Sequence, residues 1–330
     1  MKVIIPLAGL GTRLRPHTFS RPKPLVSVAG QQVLGHILDE LRGLNIEEII
    51  FITGYLGNQI KDYVDKNFDF PARYVEQTEM LGQAHAINLA REYVDGEVLV
   101  IFADTIFKTD LTRLHNLKSD GVLYVREVPD PARFGVTVLD EQGFVARLVE
   151  KPKHFVSNQA VIGVYFFKDG PALLDATQAV IKKGETLGGE YFLADAIQLM
   201  IDRGTKFEAF PVEVWEDCGK VDALLLTNSY LLSQRDQSEN DGKFPGAIIT
   251  PPVFIAPDAK ISRSIIGPNV SVASGVTITN SIIQNSIVNE KTTIERSTLG
   301  SSVIGSNAMV TGVFRRLNVG DNSEIDFSDY

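Results

Sequence analysis

Four cations crowd one short stretch near the amino terminus. Arg13, Arg15, Arg21 and Lys23 follow an apolar run at 2–5 and a turn that contains Gly9 and Gly11. A glycine has no Cβ to block an approaching group, so successive main-chain amides can face an anion while guanidinium and ammonium groups neutralise it. Leu7, Ala8, Gly9, Gly11 and Thr12 are therefore read as a phosphate-binding loop, with Arg13 and Lys23 as its cations. Neither of the two best-known phosphate loops is present. There is no GxxxxGK[ST], and Leu14 stands where the third glycine of GxGxxG would fall. Taken alone, GLGTR also fits an ordinary solvated turn.

Three further groups of residues could do chemistry. Asp104 is the first acid after the apolar segment EVLVIFA, where a carboxylate either caps a turn or points into a cleft. Gln77 combines donor and acceptor, which suits the imide edge of thymine or uracil, although a solvated loop residue is the plainer reading. Asp217 lies in WEDCG, so far along the chain from Asp104 that only the fold could bring them together. The adjacent Cys218 is the single cysteine and is read as packing.

The elements that must position these groups alternate. Residues 2–5, 49–52, 72–76 and 98–103 read as strands, and 33–44 and 59–66 have helical apolar spacing. That order predicts an α/β, Rossmann-like, doubly wound and mostly parallel sheet. Ligands of such sheets sit beyond the carboxyl ends of the strands, where the loop 8–23, the segment 77–83 and Asp104 all fall.

AGLGTRLRPHTFSRPKPL as a whole resembles the signature of the sugar-nucleotide pyrophosphorylases, and within them the long-type glucose-1-phosphate thymidylyltransferases. Many members have one more residue in the glycine turn. The resemblance implies that Arg13 and Lys23 are catalytic, that Gln77 and the Gly82 main chain hold the base, and that Asp104 and Asp217 bind Mg²⁺. In FGVTVLDEQGFVARLVEKPK it implies a sugar-phosphate site formed by Gly135, Glu150 and Lys151. Relatives usually carry an arginine where this chain has Gly188, so a positive group near the sugar phosphate is either missing or supplied by Lys182 or Lys183. The implied reaction joins a nucleoside triphosphate, dTTP or UTP, to a hexose 1-phosphate, glucose 1-phosphate foremost. The alternatives are a GTP and mannose 1-phosphate pair, or a catalytically silent assembly subunit on the same fold.

The periodicity changes after a polar, turn-rich stretch at 236–246, read as a linker between a catalytic domain at 1–235 and a second domain at 247–330. Aliphatic residues recur at Ile249, Ile255 and Ile261, then Ile266, Val272 and Ile278, then Ile283, Val288 and Ile294, then Leu299, Ile304 and Val310. Each triplet predicts one three-sided coil of a parallel β-helix, and the hexapeptide style resembles the left-handed type. Acyltransferases on such helices commonly use a histidine base. All five histidines (His17, His36, His85, His115 and His154) precede the linker, so the β-helix is read as structural, an oligomer contact or a lid. The net charge of −9 argues against a nucleic-acid surface, and no apolar run approaches the roughly 20 residues of a membrane span. A cytoplasmic homo-oligomer is the expectation.

Overall fold

A computed structural model of the chain describes residues 1–186, 188–236, 243, 244 and 246–312. Most of the stretch read as a linker, and the tail 313–330, lie outside the described residues. Contacts divide the chain into two compact units, Met1–Thr227 and the residues from Asn228 onward. The division falls inside the helix Val221–Ser233. In the second unit Asn228 is fully buried; its amide nitrogen donates to Asn269 O and its oxygen accepts from Ser271 Oγ.

The first unit begins with β1 (Lys2–Pro6), a small hairpin β2 (Ser27–Val28) and β3 (Gln31–Gln32), and α1 (Val33–Glu40). There follow β4 (Glu48–Thr53), α2 (Gly57–Asn67), β5 (Ala72–Glu76), α3 (Gln83–Asn88), β6 (Val98–Ile101) and β7 (Thr105–Lys108). Strands β8 (Gly121–Glu127), β9 (Gly135–Leu139), β10 (Val145–Glu150) and β11 (Gln159–Phe167) come next. The unit continues with α4 (Gly170–Lys183), α5 (Leu193–Asp202), β12 (Phe207–Pro211), β13 (Val214–Asp217) and the start of α6 (Val221–Ser233).

Nine strands form the main sheet, in the order β10-β9-β11-β6-β1-β4-β5, with β8 and β12 branching from β11. Strands β5, β4, β1 and β6 are parallel and form the Rossmann-like half. Three of them have cores of fully buried aliphatic residues, such as Val3, Ile4 and Ile5 or Val98 to Ile101, as expected where helices cover both faces. Strands β8 to β11 pair antiparallel. No helix intervenes between residues 121 and 167, and a parallel join needs a crossover of a dozen or more residues. Outside the main sheet, β7 and β13 form a two-stranded antiparallel ladder in which Thr105 pairs with Asp217.

In the second unit three four-stranded parallel sheets stack as the faces of a β-helix, consistent with the left-handed type. The register follows the aliphatic repeat: Ile249, Ile266, Ile283 and Leu299 pair in sequence. Ile255, Val272, Val288 and Ile304 form the second ladder, and Ile261, Ile278, Ile294 and Val310 the third. Corners turn through left-handed residues that also stack, among them Asn269 and Asn285, whose side chains bond at 2.8 Å. Asparagine visits this region more readily than most residues. Buried serines satisfy corner amides: Ser281 N donates to Ser264 Oγ, and Ser297 N to Ser281 Oγ, each at 3.1 Å. No helix among the described residues is long and apolar enough to cross a membrane.

Ile278 is fully buried in the middle of its ladder, so Ile278→Ala should cost about 2–5 kcal/mol of this unit's stability. Urea unfolding would measure it, and a loss under about 0.5 kcal/mol would show that the coil core is not tightly packed.

Candidate active site

The loop after β1 is built around close approaches. Leu7 N extends the parallel pairing by donating to Ile52 O at 2.7 Å, and Leu7 and Ala8 are buried. Gly11 has φ 61°, and a Cβ on it would lie 2.9 Å from Lys23 Cβ and 3.2 Å from Thr18 Cγ2. Thr18 Oγ1 donates to the Gly11 carbonyl at 2.9 Å. The glycine therefore both reverses the chain and makes room for Lys23. Leu14, in the short 3₁₀ turn Thr12–Leu14, is 1 % exposed and anchors the loop. A glycine there would forfeit that packing. Lys23 opens a second 3₁₀ turn, Lys23–Leu25, and its Nζ lies 3.3 Å from Asp104 Oδ2.

The β7–β13 ladder brings the two aspartates together. One step beyond the Thr105–Asp217 pair, Cys218 N donates to Asp104 O at 2.9 Å. Asp217 Oδ1 accepts from Gly219 N at 2.6 Å. A Cβ on Gly219 would sit 2.8 Å from that oxygen and 3.2 Å from Arg13 Nη2, so the Arg13 guanidinium lies beside Asp217. Cys218 is 1 % exposed; burial, reinforced by Asp217, pushes its thiol up to about 12. The cysteine packs and is not poised as a nucleophile.

Two adjoining cavities meet at Asp104. The first, of about 250 Å³, is lined by Leu7, Ala8, Gly9, Lys23, Gln77, Gly82, Gln83, Phe102, Asp104 and Glu190, among others. The second, of about 360 Å³, is lined by Arg13, Gln83, Phe102, Asp104, Gly135, Glu150, Lys151 and Asp217, with Arg133, Tyr165, Trp215 and Lys220. Gln83, Phe102 and Asp104 belong to both walls. Of the residues singled out in the sequence, Gly11 and Thr12 line neither cavity; they shape the turn behind it.

On the first side, Gly82 has φ 96° and caps α3, and a Cβ there would strike the Tyr191 backbone at 2.7 Å. Tyr191 N donates to Leu81 O, and Ala84 N to Tyr191 O, which holds the segment around Glu190 against the helix start. Gln77 is 5 % exposed, with its Nε2 3.4 Å from Gly82 O and 3.0 Å from His85 Nδ1. On the second side, Gly135 and Glu150 are cross-strand partners in the β9–β10 pairing. Glu150 Oε2 lies 3.0 Å from where a Gly135 Cβ would be. Burial raises the Glu150 carboxyl, opposed by Lys151 with its Nζ at 3.6 Å. Lys151 adopts φ 44°, and its Nζ sits 4.6 Å from the centre of the Phe192 ring.

Two cavity cations escaped the sequence reading. Arg133 is 4.0 Å from Asp130, and Lys220 forms no ion pair among the described residues. Lys183 instead pairs with Glu185 at 2.8 Å, and neither Lys182 nor Lys183 lines the cavity of Asp104 and Asp217. The cations that line it are Arg13, Arg133, Lys151 and Lys220. For Arg133 and Lys220, proximity in sequence to Gly135 and Asp217 was the available signal.

The Rossmann-like sheet thus brings the glycine loop, the cations and both Asp104 and Asp217 to two adjoining cavities. The chain belongs to the nucleotidyl transferase family, whose model matches residues 2–234. It is 31% identical over 293 residues to a glucose-1-phosphate thymidylyltransferase of Streptomyces antibioticus, covering 86% of this chain and 81% of that one. It is 37% identical over 239 residues to the bifunctional protein GlmU of Methanocaldococcus jannaschii, covering 71% of this chain. The match spans 55% of that GlmU, about half of its length. A solved UDP-glucose pyrophosphorylase in complex with UDP-glucose shares the fold, with a TM-score of 0.63 at 23% identity over 71% of this chain and 99% of its own.

Burial makes ionised Glu150 a cost to the native state. Its folded value lies above the unfolded one, so stability is lost as the pH rises from the ordinary carboxylate range through the raised value. Glu150→Gln has no such loss, and its melting temperature relative to wild type should climb as the pH rises above the ordinary carboxylate range, about 4. A difference that stays constant with pH would show that Glu150 is not desolvated.

Proposed function

We propose that the chain is a sugar-1-phosphate nucleotidyltransferase that joins a nucleoside triphosphate, dTTP or UTP first, to a hexose 1-phosphate, glucose 1-phosphate first, releasing pyrophosphate. The single observation that supports it best is the pair of cavities sharing Asp104, one bordered by the glycine loop and Gln77, the other by Gly135, Glu150 and Lys151. Two substrates that must react end to end need two such adjoining sites.

In this reading an oxygen of the sugar phosphate attacks the α-phosphorus in line. The bond from that phosphorus to the bridging oxygen breaks, and pyrophosphate leaves. Two anions must meet, so neutralising charge is the main task. Lys23 faces the charge on the α-phosphoryl group, Arg13 grips the departing pyrophosphate, and Lys151 places the attacking phosphate. Glu150 accepts hydrogen bonds from sugar hydroxyls. No general base is needed, because a phosphate monoester is largely ionised at neutral pH. Among the described residues no cluster of three or more metal-ligating side chains occurs, which fits an ion that takes one or two carboxylates together with phosphates and water. Asp104 and Asp217, joined through the ladder, would hold Mg²⁺, and the bound ion would supply Lewis-acid polarisation of the phosphates. A GTP and mannose 1-phosphate pair would use the same residues. A silent assembly subunit would be expected to lack the charges that Arg13, Lys23, Asp104, Lys151 and Asp217 retain. In this reading the β-helix is structural, an oligomer contact or a lid, and the enzyme works in the cytoplasm.

Lys23→Ala should lower turnover by about 10²- to 10³-fold with the fold intact, and wild-type turnover would remove Lys23 from the mechanism. Asp217→Asn should raise the Mg²⁺ concentration needed for half-maximal activity; an unchanged requirement would move the second ligand elsewhere. The direct test is pyrophosphate release with Mg²⁺ across the nucleoside triphosphates and a panel of sugar 1-phosphates. Silence in every combination would overturn the reading.

A further inference from the structure

We propose that His85 is a positioning residue: it holds the Gln77 amide with its oxygen toward the first cavity, so that this cavity selects bases carrying a ring N–H on the pairing edge. Uracil, thymine and guanine carry one, whereas cytosine and adenine present a lone pair there. The inference rests on the reading of the first cavity as the base site.

The two ends of a glutamine amide are alike in shape and opposite in chemistry. At Gln77 the surroundings decide between them. The amide atom 3.4 Å from the Gly82 carbonyl must be the nitrogen, because that carbonyl can only accept, and two oxygens at that distance repel. The same nitrogen lies 3.0 Å from His85 Nδ1, which must therefore offer its lone pair, leaving the imidazole proton on Nε2. Both amide hydrogens are then engaged on the protein side. Oε1 accepts from no described residue, while Gln77, 95 % withdrawn from solvent by its 5 % exposure, lines the cavity.

Removing His85 would leave only the long 3.4 Å contact to Gly82 to hold the amide. A contact at that distance is weak, so the amide could turn over and offer hydrogens to the cavity. Turned over, Gln77 would donate to the ring nitrogen of cytosine and clash with the N–H of uracil. His85 occupies the third position of α3 from Gln83, on the same short helix whose start is fixed by Gly82. Gln77 is held separately, its backbone N donating to Thr53 O at 2.7 Å as β5 ends. Backbone on both sides is set by the sheet and the helix, so the His85 contact governs the orientation of one amide group and little else.

Isothermal titration of UTP and CTP into wild type, Gln77→Ala, His85→Leu, His85→Asn and His85→Lys would test this. The wild type should favour UTP. His85→Leu should narrow the UTP-to-CTP ratio of dissociation constants by about tenfold, the worth of one hydrogen bond. His85→Asn, whose Oδ1 can stand in for Nδ1, should restore the ratio, and His85→Lys, which offers only hydrogens, should shift it toward CTP. A merely structural role would weaken both nucleotides alike and leave the ratio unmoved. If Gln77→Ala lowers the ratio while the leucine and lysine variants leave it unchanged, the positioning role is overturned and the base site stands. If Gln77→Ala also leaves it unchanged, or wild type has no preference, the base is not read at Gln77 and both readings fall.

Discussion

The short antiparallel ladder between β7 and β13 is the constraint on which the candidate site depends. Its last pair joins Thr105 to Asp217, and the bond from Cys218 N to Asp104 O carries it one step further. Two carboxylates far apart in the chain are thereby held on one cavity wall by backbone bonds, which do not depend on side-chain rotamers. Carboxylates on one wall need positive charge near them, and both have a cation in their surroundings. Lys23 lies against Asp104 and Arg13 beside Asp217. In the proposed reaction these cations also meet the phosphates, so an arriving anion exchanges with charge already neutralised in place and does not add to an open field.

Glycines set how closely these charges approach. At Gly11 an added Cβ would push on Lys23, and at Gly219 it would press between Asp217 and Arg13. At Gly135 it would meet Glu150 at 3.0 Å. Each position lies within two residues or one strand pairing of a charged group, and the missing side chain is what lets the charge sit at the cavity surface. The cavities differ in charge. Among the described lining residues, the first has the cation Lys23 with the acids Asp104 and Glu190, and the second has the cations Arg13, Arg133, Lys151 and Lys220 with the acids Asp104, Glu150 and Asp217.

The β-helix obeys a different rule. Each of its strands bonds to the strand one coil away, about 16 or 17 residues along the chain, and the same side chain points inward at each recurrence. Stability there is a sum over neighbouring coils. The buried serines and the stacked left-handed corners repeat with the same step, so the polar requirements of the turns are met by the period that fills the core.

The sequence by itself determined whatever depends on period or on neighbours along the chain. The β-helix register was legible residue by residue, because stacking turns a one-dimensional repeat directly into a three-dimensional ladder. The Rossmann-like half was legible as well, since buried parallel strands must be continuous apolar runs. The cations of the glycine loop stood out by type and spacing, whereas Gly135, Glu150 and Lys151 were indicated only by the family resemblance. Tertiary structure alone decided the rest. No local signal states that Asp104 meets Asp217, that Arg133 and Lys220 enter the cavity while Lys183 turns to Glu185, or that the Gln77 amide nitrogen is engaged by Gly82 and His85. Those facts depend on distances between segments remote in sequence, and hydrogen bonds and charges act through space, where sequence order imposes no distance.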